Sequence, residues 1–452
     1  MATKYWSGSG TWDAASPNWG TSPGGPYNVA AFNDGDDAVF EGSAGTVTVS
    51  SPNKPNNITF AVAGYTLAGG TITLNQDPSL LISDVPATIS ALIVAGVGKS
   101  LNKQGTGTIT LSGANSFSKY VIISGGVLLA THNEAFGAAR VGHLNGVWVM
   151  TTGQAQLSGG ISIPDITLYD DTTYPHVCFK SVSGNNTWGG SISKNGPIVI
   201  ESDADLMTFD NALLYHPDLE PHALALLGAG DILTTGDLNN ANANVTKGLS
   251  SGDTGTWTCE GDSLINNFAI TTISYGTFCC KSASYGVGAH TLVIGAAGTL
   301  SGDGLIHVGN NGVTIAGGGK LAPGDGVGTI TIDSIQLVAR LVLNATSILE
   351  YTLGTVSDKT VLTNDLNLTL DGSINVAAGA GFAVGIYPII EFSGDIIDNS
   401  LDIGTMPLGF EAAIEIDEVS SPKRVNLVVV SDEESYPQLH NYLNNLHTMG
   451  MR

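Results

Sequence analysis

The sequence has no long apolar run, and charged residues are scarce. Its apolar stretches, such as residues 198–200 and 428–430, have the length of a strand. A membrane-spanning helix needs ~20 consecutive apolar residues. The sequence therefore predicts no membrane span, although 42% of its 452 residues are hydrophobic and only 12% are charged.

Basic residues are especially few. The chain has 16 lysines and arginines against 40 aspartates and glutamates, which gives a formal net charge of −24. Such a charge repels a phosphate backbone and anionic lipid headgroups. Nucleic-acid binding is thus disfavoured, and the ordinary role of the charge is to keep a large β protein soluble.

Cysteine is also sparse, with Cys178, Cys259 and the adjacent Cys279 and Cys280. Four cysteines are too few for a disulfide framework in a chain of this length, and none has the spacing of a zinc site. A bridge between adjacent cysteines would be strained, so we expect all four to be reduced and mostly buried as small hydrophobes.

The first residues lack the charged segment, apolar stretch and small-residue cleavage site of a secretory signal. From this the sequence predicts folding in the cytoplasm. The protein would then leave the cell by another route, such as assembly into a virus particle that is released on lysis.

Short alternating segments, by contrast, are abundant. Residues 46–49, 71–74 and 108–111 each alternate apolar with polar side chains, which is typical of strands with one buried and one wetted face. Glycine pairs, Asn-Gly and Asp-Gly steps separate them, and the chain has 59 glycines. An array of β-sandwiches would use similar turns. The close spacing favours a right-handed parallel β-helix with coils of roughly 20 to 25 residues, in which Ile109 points inward.

The predicted organisation is all-β. Residues 1–45 form an aromatic capping or anchor module, and residues 46–340 form the β-helix, with an irregular insertion near 206–227. Residues 341–430 form either the final coils or a separate C-terminal β domain. An acidic tail, 431–452, follows.

Several segments resemble passenger proteins of the autotransporter type. Residues 5–13, 18–20 and 33–40 are similar to the leading module of these β-helical passengers and to the N-termini of many tailed-phage structural proteins. Residues 101–115 and 121–129 resemble the passenger-associated strand repeat. Residues 298–304, 319–325 and 328–332 resemble closing coils. The resemblance implies a β-helix, but the same repeat serves adhesins, coat proteins and inert stalks.

The chain departs from the autotransporter pattern because it shows neither a secretion signal nor a long C-terminal membrane-barrel segment. The leading hypothesis is therefore a phage virion protein: a capsid decoration, a fibre or a tail-associated attachment protein that acts as a rigid β-helical scaffold. The implied partners are capsid or tail proteins and host-surface glycans, and fibrous phage proteins suggest a homotrimer. The first alternative is an extracellular or cell-surface adhesin. The second is a polysaccharide-degrading tailspike.

No residue set has recognisable catalytic spacing, so we expect no enzyme activity, no cofactor and no dedicated metal site. Adjacent carboxylates on a strand point to opposite faces and rarely cooperate. Clustered carboxylates in so acidic a protein would at most bind structural calcium weakly. The features weighed here are Asp36 and Asp37, Asp170 and Asp171, Glu433 and Glu434, His216 and His222, and the glycine turns at 302–304 and 324–326.

Two segments are the predicted partner contacts. Aromatic residues concentrate near the N-terminus, where a solenoid would otherwise leave an open apolar end. In the tail, apolar residues recur at helical spacing, which predicts either a docking helix or a frayed acidic tail with one weakly helical turn. The contact candidates are Tyr5, Trp6, Trp12, Trp19, Tyr436, Leu439, Tyr442, Leu443 and Leu446.

Overall fold

The computed structural model describes residues 1–432 except 51, 97, 118, 139–145, 173–175, 195–196, 212–222, 239–243, 267–269, 288–289 and 335–339. The chain forms two compact units, Met1–Pro217 and Asp218–Arg452. In the described part of both units the regular structure is β-strand, and no α-helix occurs. The predicted fold class, an all-β parallel β-helix, is confirmed.

In the first unit, short strands pair in parallel with the strands one coil earlier and one coil later. β1 pairs with β3, β3 with β5 and β5 with β8, while β2, β4, β6 and β9 form a second ladder. Its strands, β1 to β21, are Thr3–Trp6, Gly10–Trp12, Asp37–Phe40, Thr46–Val49, Ile58–Phe60, Thr66–Gly69, Thr71–Leu74, Ser79–Ser83, Ala87–Ile89, Leu92–Ala95, Leu101–Gln104, Thr108–Leu111, Tyr120–Ala130, Gly146–Ser158, Ser162–Ile163, Thr167–Thr172, Phe179–Ser183, Asn186–Trp188, Ile192–Lys194, Ile198–Ser202 and Leu206–Phe209.

The second unit continues this parallel pattern and ends differently. Its last three paired strands, β39, β43 and β42, are antiparallel. The strands β22 to β43 are Leu224–Leu227, Asp231–Thr234, Val245–Lys247, Thr256–Cys259, Ser263–Asn266, Ile270–Cys280, Tyr285–Val287, Thr291–Gly302, Leu305–Val308, Val313–Ile315, Lys320–Pro323, Thr329–Ser334, Arg340–Leu343, Ile348–Leu353, Lys359–Leu362, Asn367–Leu370, Ser373–Ala378, Gly385–Phe392, Ile396–Asp398, Asp402–Ile403, Phe410–Asp417 and Lys423–Ser431.

These bounds refine two of the predicted segments. The region near 206–227 begins and ends in regular strands, β21 and β22, and its middle, 212–222, lies outside the described residues. Within residues 341–430, parallel strand pairs occur up to β41, and β43 pairs antiparallel with β39 and β42. The division into domains itself stays a prediction.

Alternation along each strand builds the core. In β12, Ile109 and Leu111 are fully buried while Thr108 and Thr110 are half-buried on the outer face. Ile109 pairs with Ala87 in the preceding coil and Leu128 in the following one, so inward side chains form continuous apolar columns. Such columns explain why stability grows with each added coil.

Two lysines interrupt the apolar interior at equivalent places. Lys103 is 0% exposed, and its Nζ donates to the carbonyl oxygens of Gln104 and Gly105 at 3.0 Å and of Gly125 at 3.1 Å. Lys247 is also 0% exposed and donates to the Asp253 carbonyl at 3.3 Å. These bonds hold the turn carbonyls where the coil bends.

The surroundings of the two lysines match as well. Lys103 pairs with Ile123 and Lys247 with Ile273, and a register shift follows both isoleucines. A glycine with positive φ, Gly126 or Gly276, comes three residues after each isoleucine. A Cβ on either glycine would meet carbonyl oxygens of the preceding coil at 2.5 Å, so neither position accepts a larger residue without a backbone shift. The two segments are structural repeats of one another.

Candidate functional site

The aromatic residues near the N-terminus form a compact internal cluster. The ring centroids of Trp6 and Trp19 are 5.1 Å apart, those of Trp12 and Trp19 are 5.3 Å apart, and both pairs meet edge to face. Phe32 and Phe40 pack against the same indoles. This geometry is favourable for aromatic side chains and fills the interior beside the first coil.

Burial decides what these indoles can do. Trp6 is 2% exposed, and Trp12 and Trp19 are 0% exposed. Their burial leaves them no surface with which to contact a partner, so we assign them to the cap. Tyr5 is half-buried, and partner contact by Tyr5 stays a prediction. The other contact candidates, Tyr436, Leu439, Tyr442, Leu443 and Leu446, lie outside the described residues.

Tyr65 connects this cap to the next coil through hydrogen bonds of its hydroxyl group. Its hydroxyl lies 2.6 Å from the Glu41 carbonyl oxygen and 2.7 Å from that of Ser43, and it accepts the Gly8 amide at 3.2 Å. Burial raises the pKa of Tyr65, so the hydroxyl keeps its proton and can donate. The cap is thus tied by polar contacts as well as by aromatic packing.

A second aromatic group lies on the outer face of the first unit, and the sequence did not single it out. Tyr120, Trp148 and Tyr169 come from three consecutive coils. The centroids of Tyr120 and Trp148 are 5.7 Å apart, and those of Trp148 and Tyr169 are 4.8 Å apart with the rings inclined by only 23°. All three side chains are half-buried. We call these three residues the outer aromatic column.

The strands under the outer aromatic column fix its direction. Val147 and Val149 flank Trp148 on β14 and are 0% exposed, so Trp148 points outward. Gly146 leaves room for the Tyr169 ring, because a Cβ there would meet Tyr169 Cε2 at 2.5 Å. The rings therefore rest on a rigid, hydrogen-bonded sheet.

The second unit carries a polar groove with a volume of about 410 Å³. Glu350 and Asn375 both line the groove. Glu350 Oε1 accepts a hydrogen bond from Lys320 Nζ at 3.0 Å. Asp358 is 2% exposed and accepts amide protons from Gly328 and Thr352. Burial nevertheless raises the pKa of Asp358. Both carboxylates already accept hydrogen bonds from other groups of the protein, so we assign them a structural role in the groove.

The features weighed for chemistry are separated or buried. Asp36 is buried while Asp37 is half-buried, and Asp170 is buried while Asp171 is exposed, as expected for neighbours on a strand. In the described part of the chain, no three His, Cys, Asp or Glu side chains are placed to hold a metal ion. His216, His222, Glu433 and Glu434 lie outside that part.

The cysteines are free and buried. Burial raises the pKa of the Cys259 thiol to about 12 and also raises those of Cys178, Cys279 and Cys280. A thiol with a raised pKa forms little thiolate and is a poor nucleophile. The cysteines therefore serve as packing residues in this structure.

No known family model matches the sequence. Part of the chain is similar to the "Adhesin BmaC autotransporter" of Brucella suis biovar 1 (strain 1330), with 36% identity over 178 residues. The match covers 35% of this chain and 5% of that much longer adhesin. Among the described residues no helix is long and apolar enough to cross a membrane.

This similarity and the parallel β-helix fit a passenger of the autotransporter type. They support the part of the predicted resemblance that concerns autotransporter passengers. They give no support to its phage form, so the cell-surface alternative fits better than the virion hypothesis.

Proposed function

We propose that the chain is part of an extracellular, surface-exposed adhesin, in which the β-helix is a rigid scaffold that presents contact surfaces to another cell or to its matrix. The single observation that carries this proposal is the 36% identity to an autotransporter adhesin over part of the chain. The β-helical fold of this chain agrees with it. In this proposal the protein functions by binding and not by catalysis.

Location distinguishes this proposal from the virion hypothesis. An antibody raised against the purified chain should label intact cells of the source organism, and mild protease treatment of the cells should remove the label. Labelling confined to released virus particles would overturn the proposal in favour of a phage role.

Adhesion itself is tested with fluorescent beads coated with the folded chain. Beads are applied to a panel of epithelial cells, macrophages and bacteria, with albumin-coated beads and beads carrying the acid-unfolded chain as controls. The folded chain should retain more beads than either control on at least one cell type. Retention equal to albumin on every cell type would contradict an adhesive role.

The polysaccharide-degrading alternative makes a different prediction. An enzyme would release new reducing ends or unsaturated sugars from surface polysaccharide, and an adhesin would not. Incubation of the chain with purified capsular polysaccharide and lipopolysaccharide, followed by a reducing-end assay, separates the two.

A further inference from the structure

We propose that the outer aromatic column, Tyr120, Trp148 and Tyr169, binds a neutral oligosaccharide by packing sugar rings against the aromatic surface that the column leaves exposed. The inference rests on the proposed adhesin function and names the class of ligand that such an adhesin would recognise on this surface.

The spacing of the rings favours a sugar ligand. Each coil contributes one aromatic side chain, and neighbouring centroids are 5.7 Å and 4.8 Å apart. The rings are held by paired strands, because Trp148 is in register with Tyr169 and with Ile122. A preorganised row of rings loses little conformational entropy when a ligand binds. The apolar C–H face of a pyranose ring matches the apolar aromatic surface that such a row leaves exposed.

The positions beside the rings are polar and uncharged. Asn102 precedes Ile122 in the same register, and Ser193 follows Tyr169. Ser124 is hydrogen-bonded to Asn102 at 2.8 Å on the same outer face. Uncharged amide and hydroxyl groups beside aromatic rings are suited to the hydroxyl groups of a sugar.

The charge around the column favours a neutral ligand. The positions in register from Asn102 to Ser193 carry no ionisable group other than the Tyr169 phenol. The exposed Asp171 lies two residues beyond Tyr169 on the same strand, and the whole chain carries a net charge of −24. An acidic polysaccharide would be repelled, whereas a neutral one would not. The ligand is therefore an uncharged sugar chain.

The size of the column favours a small ligand. Three half-buried aromatic side chains offer on the order of 100 Å² of accessible surface, because each would bury about 150–250 Å² in full and most of that area is already buried. A stable protein interface covers about 800 Å² on each partner. The column is too small to hold a second copy of this chain, but a few sugar units would cover it.

The test uses the whole 452-residue chain and the fluorescence of Trp148. The other five tryptophans are each at most 2% exposed, so acrylamide quenches Trp148 preferentially. Maltoheptaose, cellohexaose, laminarihexaose and mannohexaose are titrated individually, with a hyaluronan oligosaccharide as the acidic control. At least one neutral sugar should bind with a Kd below about 1 mM and protect Trp148 from quenching. Absence of binding by all four, or tighter binding of hyaluronan, would overturn the proposal.

Substitution locates the site. Calorimetry measures the affinity of each variant for that sugar. Trp148→Ala should weaken binding at least tenfold, as expected when a central aromatic contact is removed. Tyr275→Ala removes a half-buried tyrosine of the second unit and should leave the affinity unchanged. Circular dichroism and the melting temperature show whether each variant is folded. If Trp148→Ala does not fold, Tyr120→Phe and Tyr169→Ala are tested instead. Equal affinity of wild type and Tyr169→Ala for the sugar would then refute the column as the binding site.

Bead adhesion separates failure of this inference from failure of the proposed function. If wild-type and folded Trp148→Ala beads adhere equally, the column is refuted as the recognition site, while the adhesin role remains. If beads never adhere but the sugar binds in solution and binding is lost in Trp148→Ala, the adhesin role fails and the sugar site stands. A wild-type dimer in sedimentation that becomes monomeric in Trp148→Ala would show self-association and overturn the sugar proposal.

Discussion

Trp148 and Tyr169 lie on adjacent coils, are paired in register, and stack with their ring centroids 4.8 Å apart. The arrangement depends on the residue that starts the same strand as Trp148. Gly146 pairs with Thr167, and the Tyr169 ring covers the space where a Cβ of residue 146 would project. A small residue at one position thus allows two large ones to meet at another.

Gly146→Ala should disrupt this stack. Its Cβ would lie 2.5 Å from Tyr169 Cε2 and 2.9 Å from the Thr167 carbonyl oxygen, so the ring must move. We expect a weaker near-ultraviolet circular dichroism signal, stronger acrylamide quenching of Trp148, and a free energy of unfolding lower by about 1–3 kcal/mol. Gly252→Ala is the matched control, because its nearest neighbour would be Ser250 Oγ at 3.7 Å. Identical spectra for wild type and Gly146→Ala would contradict the described packing.

Much of the fold could be predicted from the sequence because the signals were local. The alternation around Ile109 and the glycine turns identify a strand and its ends without knowledge of any distant residue. The concentration of tryptophan near the N-terminus likewise indicated a cap. Its complete burial was not predictable, since burial depends on how Trp12, Trp19 and Phe32 meet in three dimensions.

The outer aromatic column could not be found in this way. Tyr120, Trp148 and Tyr169 become neighbours only through the register between coils, and the coils differ in length because their turns differ. A shift of one residue in either coil would turn a ring to the opposite face. The burial of Lys103 was not predicted for another reason. Lysine is almost never fully buried, so the residue type alone indicated an exposed side chain.

Lys103→Met should destabilise the first unit. The substitution keeps most of the side-chain volume but leaves the carbonyls of Gln104, Gly105 and Gly125 without the donor that Nζ provides. Because unsatisfied buried polar groups are costly, we expect the free energy of unfolding to fall by about 1–3 kcal/mol in urea denaturation. Lys54→Met is the control, since Lys54 is exposed and its ion pair with Asp34 should contribute about 1 kcal/mol or less. Equal losses in the two variants would refute the structural role of Lys103.

Lys103 also predicts a pH dependence on the alkaline side. Burial lowers its pKa from 10.5 to about 8. Between these two values the unfolded chain binds more protons than the folded chain, so this group makes the free energy of unfolding rise as the pH increases from about 8 to about 10.5. The difference between wild type and Lys103→Met, measured by urea denaturation at several pH values, isolates this contribution. A difference that is constant across the window would show that Lys103 has an ordinary pKa.

His290 predicts a pH dependence of the same sign on the acidic side. It is 0% exposed, its Nε2 lies 2.8 Å from Thr271 Oγ1, and burial lowers its pKa from 6.5 to about 4. Below about pH 6.5 the unfolded chain gains a proton that the folded chain does not accept, so stability falls until the pH reaches about 4. We expect a loss of about 3 kcal/mol from this group, since each pKa unit corresponds to about 1.4 kcal/mol. In His290→Gln the fall between pH 6.5 and 4 should be smaller than in wild type, and an equal fall would contradict it.

The inward and outward faces of one strand provide the strictest test of the β-helix. Ile109 is 0% exposed within an apolar column, whereas its neighbour Thr110 is half-buried on the outer face. Ile109→Asp would bury an unpaired carboxylate and should lower the free energy of unfolding by more than about 4 kcal/mol. Thr110→Asp places the same carboxylate one residue away, where water can solvate it, and should cost about 1 kcal/mol or less. Thermal unfolding of both variants measures the contrast. Because the two substitutions differ only in the face that receives the charge, similar melting temperatures would mean that β12 does not alternate as described.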